Sequence, residues 1–128
     1  QVDWFRYGVA GDLKYRYVDL YGAIIWDTID RLPGAISAPF DRNAYGLTVE
    51  GDYLATDRLL FSIRYDQLDA GGFVDQKADG KLLTFQARFY ARDNFSFYLR
   101  DSVNIAKVSA NALQSFRNAV AAGIDFDF

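Results

Sequence analysis

The chain has no cysteine, no histidine and no methionine among its 128 residues, and only 2 prolines. Without cysteine there is no disulfide framework, no thiol chemistry and no haem-attachment motif. Without histidine the usual base of Ser-His and Cys-His arrangements is missing, as is the commonest metal ligand. Long hydrophobic runs are absent too: stretches such as Ala119-Val120-Ala121-Ala122 fall far short of the roughly 18 apolar residues of a transmembrane helix. Positive charge is not in excess. A net charge of −3 and a pI near 4.8 supply no basic patch for nucleic acid. No charged start, apolar core and cleavage site open the sequence, and no Met begins it; the expectation is a removed signal peptide or a piece of something longer. No catalytic residue, metal site or cofactor is expected.

What is abundant is aromatic. Phe, Trp and Tyr make up 17% of the residues, within a hydrophobic fraction of 51%. The mean hydropathy is nevertheless only −0.10, so polar residues must be finely interleaved with apolar ones. A strand with two different faces produces that mixture.

Period-two alternation is the dominant pattern. Phe5, Tyr7, Val9, Leu13, Tyr15 and Tyr17 alternate with Arg6, Gly8, Ala10, Asp12, Lys14 and Arg16. Parity reverses at Val18, which places a tight turn near Arg16 to Asp19, without the usual Asn-Gly chemistry. The same reading predicts seven strands, near residues 3–16, 19–29, 44–55, 58–68, 82–90, 95–105 and 114–128. Short turns are expected at Ala55-Thr56-Asp57-Arg58 and Ala91-Arg92-Asp93-Asn94. Long loops are expected around Leu32-Pro33-Gly34, from Asp69 through Asp79-Gly80-Lys81, and near Ser109 to Ala112. Short and long connections therefore alternate, as they do in transmembrane barrels.

The last six residues, Gly123-Ile124-Asp125-Phe126-Asp127-Phe128, resemble the C-terminal targeting strand of Gram-negative outer-membrane β-barrel proteins. Phe128 stands as the terminal aromatic, Phe126 as the second aromatic, Ile124 as the apolar residue before it, and Gly123 near the start. The resemblance implies an all-β, antiparallel transmembrane barrel of the bacterial outer membrane, with this chain as the C-terminal portion of a larger, porin-like barrel. It implies that the barrel-assembly machinery reads Gly123, Ile124, Phe126 and Phe128 as an assembly signal. The stretch Arg64-Tyr65-Asp66-Gln67-Leu68-Asp69, with its following Gly-rich loop and hairpin, is similar to the closing hairpins of larger porins and of barrels that sheath multihaem cytochromes.

From the residues themselves, aromatics sort into two bands. Tyr15, Tyr17, Tyr53, Phe89, Phe95, Phe126 and Phe128 lie near the short turns, and Phe5, Trp26, Tyr45 and Tyr65 lie about one membrane crossing away. The opposite face carries both signs of charge, and Arg64, Arg88, Arg100, Arg117, Glu50, Asp52 and Asp66 are its candidate lumen-facing residues. Arg64 and Arg100, well away from the short turns, are placed where a constriction can form. Glu50 and Asp52 share a face because alternation puts every i and i+2 pair together, so they read as lumen charge over acid–base or Ca²⁺ chemistry. Asp101 fits badly, since it falls on the apolar face, where a carboxylate meeting lipid costs on the order of 2 kcal/mol; a bulge near Arg100-Asp101 or a shorter lipid-facing span would remove the conflict. The functional expectation is a passive channel for ions or small polar solutes, or a sheath around a partner such as a multihaem cytochrome. The alternative is a small filled barrel acting as a structural anchor or adhesion surface.

Overall fold

The computed structural model describes residues 3–30, 42–70, 78–105 and 118–126. They form seven strands: β1 (Asp3–Tyr15), β2 (Val18–Asp30), β3 (Arg42–Thr56), β4 (Leu59–Ala70), β5 (Ala78–Arg92), β6 (Phe95–Asn104) and β7 (Ala119–Phe126). All join in one antiparallel sheet whose spatial order is the chain order. The sheet is not closed: β1 pairs only with β2, and β7 only with β6. With every neighbour antiparallel and seven strands in line, β1 and β7 run in the same direction.

The alternating, aromatic and β-branched sequence suits half-buried pleats, and two-residue turns close three hairpins at Arg16–Tyr17, Asp57–Arg58 and Asp93–Asn94. In the first, Tyr15 pairs with Val18 and Arg16 takes φ 55°. Tight hairpin turns want a positive φ at their first loop position, which Gly or Asn normally supplies; an arginine there stores about 1 kcal/mol of strain. Backbone bonds stitch two turns to the following hairpin: Leu54 N–H donates to the Tyr17 carbonyl and Tyr90 N–H to the Arg58 carbonyl, each at 2.8 Å. Register shifts between Leu54 and Thr56 and between Tyr90 and Arg92 make Ala55 and Ala91 the extra residues of β-bulges, just before two of the turns.

Three boundaries differ from the expectations. Asp79-Gly80-Lys81 belongs to β5, because Lys81 pairs with Gln67 and Gly80 with Leu68; loop-type residues there are carried by the ladder of β4. The turns at Ala55 to Arg58 and Ala91 to Asn94 are shorter than read, since Thr56 and Arg92 still pair. The final strand is described from Ala119 to Phe126 with Asn118 outside it; positions 114–117, 127 and 128, and the centres of all three long connections, lie outside the described residues. Among the described residues no helix is long and apolar enough to cross a membrane, which leaves crossing by strands open.

No hydrophobic residue among those described is buried. The described residues form a single layer, and none of them covers its apolar face. Leu13 is 64% exposed and Val120 75%. Rings gather toward both ends of that face. Tyr7 stacks on Trp26 at 5.4 Å, and Phe95 stacks on Phe126 at 4.9 Å and meets Phe97 edge-on. Tyr65 donates to Gln67 at 2.7 Å, and Gln67 donates in turn to Tyr45, so polar tips here satisfy one another. Asp101 lies on this same face, opposite Phe85 and Val120 in regular register on both sides. A bulge near Arg100-Asp101 is thereby excluded, because the irregularities fall elsewhere. Asp101 borders a shallow notch of about 380 Å³ that includes the small residues Gly51 and Ala87.

Candidate functional site

Pairing puts one residue of each strand opposite one of the next, and paired residues share a face. The ladder therefore assembles a continuous polar wall: Asp19 opposite Asp52, Asp52 opposite Ser62, Glu50 opposite Arg64, Arg64 opposite Thr84, Gln86 opposite Arg100, and Arg88 opposite Tyr98. Against β2 to β6 it forms a hollow of about 660 Å³. Arg64, Arg88, Arg100, Glu50, Asp52 and Asp66 all stand on this wall, while Arg117 is outside the described residues.

They do not form one cluster. Arg64 is held by carboxylates: its Nε donates to Asp66 Oδ1 at 2.9 Å, Nη2 lies 2.9 Å from the same oxygen, and Nη1 lies 4.0 Å from Glu50. Thr48 donates to the same Asp66 oxygen at 2.8 Å. Arg88 pairs with Asp125 at 2.8 Å, reaching across β6 to β7. Arg100 has no carboxylate partner among the described residues; its guanidinium lies over the Tyr98 ring at 5.4 Å, with Arg88 approaching the same ring at 5.7 Å. Asp52 stands away from these groups. It faces Asp19 directly, and each keeps one buried oxygen with no hydrogen-bond donor, an unfavourable like-charge contact across a ladder.

Charge is distributed unevenly across the wall. Toward β1–β3 stand Asp12, Asp19, Asp27, Glu50 and Asp52, answered by Arg6 and Lys14 through the Arg6–Asp27 and Lys14–Asp19 pairs at 2.6 and 3.2 Å. Toward β4–β7 stand Arg64, Arg88 and Arg100, with Asp66 and Asp125. An acidic side and a basic side thus share one concave surface.

The C-terminal candidates divide between faces. Ile124 and Phe126 lie on the apolar side, opposite Phe97 and Phe95; Gly123 lies on the polar side, opposite Tyr98. A Cβ at Gly123 would come within 2.5 Å of the Tyr98 ring, so glycine is what lets that ring lie across β7. Phe128 is outside the described residues. Sequence reading missed this socket, and also the Thr84–Ser102 hydroxyl pair at 3.0 Å and Gln86 beside Arg100. The one visible signal was an aromatic, Tyr98, within an otherwise polar series. Among the described residues no group of acidic side chains is arranged to hold a metal ion. Compared with protein-family models, with curated proteins and with solved structures, the chain matches none.

Proposed function

We propose that this sheet is part of the wall of a membrane-spanning β-barrel in the bacterial outer membrane, its apolar face against lipid and its polar face lining a lumen for ions or small polar solutes. The supporting observation is the lack of any buried hydrophobic residue among those described, beside an apolar face that runs through all seven strands. A sheet in water has to bury such a face against another layer; lipid does that work in a barrel. Strands β1 to β6, of 10 to 15 residues, are long enough for a tilted crossing of roughly 9–11 residues. Aromatics toward both ends of the strands match interfacial belts. The chemistry asked of the polar face is modest: to hold water, and to bias passing ions by its unequal charge. A sheath around a partner, such as a multihaem cytochrome, uses the same wall.

A filled barrel serving as anchor or adhesion surface is the second reading. The pairing of Arg6, Lys14, Arg64 and Arg88 with carboxylates favours it, because paired charges suit a packed interior. Fractionation tests the membrane reading: the protein is expected only in detergent extracts, with a gel mobility that changes on heating. A monodisperse monomer in buffer without detergent overturns it. Conductance across a planar bilayer then separates the open wall from the filled one.

A further inference from the structure

We infer that Arg100 is the centre of an oxyanion-binding site on the polar wall, built by β5, β6 and β7 and selective for small carboxylate- or phosphate-bearing solutes. The inference rests on the lumen reading and adds a ligand class to it. Of the four described guanidinium groups on this face, those of Arg6, Arg64 and Arg88 are engaged by Asp27, Asp66 and Asp125. Arg100 alone of these has no acidic partner among the described residues.

Its surroundings are those of a receptor and not of a structural ion pair. Its guanidinium carbon lies over the Tyr98 ring, 5.4 Å from the centroid, and a cation–ring contact takes up no oxygen acceptor of the N–H donors. Those donors are a planar fork that matches the two oxygens of a carboxylate or phosphate. Gln86 lies directly opposite on β5, and its amide adds a donor of its own. The Thr84 and Ser102 hydroxyls stand one pair further along, bonded to each other at 3.0 Å. On the other side Arg100 faces Ala121, and Ser102 faces Ala119. Those methyl groups are too small to cover the guanidinium and carry no competing charge. Arg64, Gln86, Thr84, Ser102 and Arg100 all line the same 660 Å³ hollow, which has room for a small organic anion. The two acids that line the hollow with it are already taken up: Asp66 accepts hydrogen bonds from Arg64 and Thr48, and Glu50 lies 4.0 Å from Arg64.

The test is equilibrium binding to the full protein in detergent, with inorganic phosphate and acetate as probes, read by titration calorimetry and independently of conduction. Saturable binding that weakens with added NaCl is expected. Arg100→Gln should weaken it by about tenfold or more, the worth of a charge-assisted pair of hydrogen bonds. Ala121→Glu gives a second variant that keeps the arginine: a carboxylate set opposite Arg100 should occupy its fork and abolish anion binding. Preference for acetate would mark a carboxylate solute, and preference for phosphate a phosphoryl one. No saturable binding by the wild type, or binding unchanged in both variants, overturns the inference. A protein that conducts in bilayers but binds neither probe keeps the channel and loses this site; one that binds but never conducts keeps the site and loses the channel.

Discussion

The two ends of the sheet are joined by different means. At one end, β1 and β2 are long and continuous in sequence through a two-residue turn; Tyr7 stacks on Trp26 and Gly8 sits close against Ile25, and the ion pairs between them, Arg6–Asp27 and Lys14–Asp19, are exposed. At the other, β6 and β7 are short and separated by the stretch between Asn104 and Ala119. Their contact is steric: Tyr98 lies across Gly123, Phe95 stacks on Phe126, and Arg88 reaches over β6 to Asp125. A tight turn sets register locally, so the first hairpin needs no side-chain key. Where a long connection leaves register open, side-chain fit has to choose it.

The largest expected effect breaks that key. Gly123→Ala should destabilise the folded protein by about 1–3 kcal/mol through overpacking against Tyr98, seen as a lower urea midpoint in detergent. Tyr98→Ala in the same protein should recover part of the loss, whereas simple additivity would show that the ring and the glycine are not coupled.

A second substitution compares the outer faces of the two ends. On β1 the apolar residues Phe5, Tyr7, Val9, Leu13 and Tyr15 are interrupted only by Gly11, whereas Asp101 interrupts β6 between Leu99 and Val103. Asp101→Leu should stabilise the protein in a bilayer by about 1–2 kcal/mol if that face meets hydrocarbon. An unchanged unfolding midpoint would mean that something polar covers β6.

Smaller effects sharpen the account of the first hairpin. Arg16→Gly relieves the positive φ at its turn and should raise stability by about 1 kcal/mol; a loss would show that the side chain outweighs the strain. Arg6→Gln and Lys14→Gln should leave the unfolding midpoint unchanged within error, since exposed pairs contribute little. A clear drop would mean that these pairs hold register after all.

Strand number, chain-order pairing and the two faces were legible because alternation is a local property. Phe5 to Tyr15 declare their faces without reference to any other strand. The bulges at Ala55 and Ala91 were not legible, since alanine suits either face and only the opposing strand shows the extra residue. Gly80 read as loop for the same reason: its place in β5 depends on Leu68, a partner on another strand. Parity also treated Arg64 and Arg100 alike. Register separates them, by giving Arg64 the carboxylate of Glu50 opposite and leaving Arg100 with Gln86 and Ala121. The Tyr98–Gly123 contact spans an open-ended connection and so lies beyond any local pattern.

Because β1 and β7 point the same way, copies of this unit cannot be arranged as identical staves around a common axis with antiparallel seams. Rotation about that axis preserves direction, so the β7 of one copy would meet the β1 of the next in parallel at every junction. Matching like edge to like edge would instead turn one copy upside down across the bilayer. An all-antiparallel ring must therefore contain an odd number of strands besides these seven, giving the even total usual for bacterial single-chain barrels. Stoichiometry is then constrained by strand direction alone: a ring made only of this unit in one orientation, however many times repeated, always carries a parallel seam.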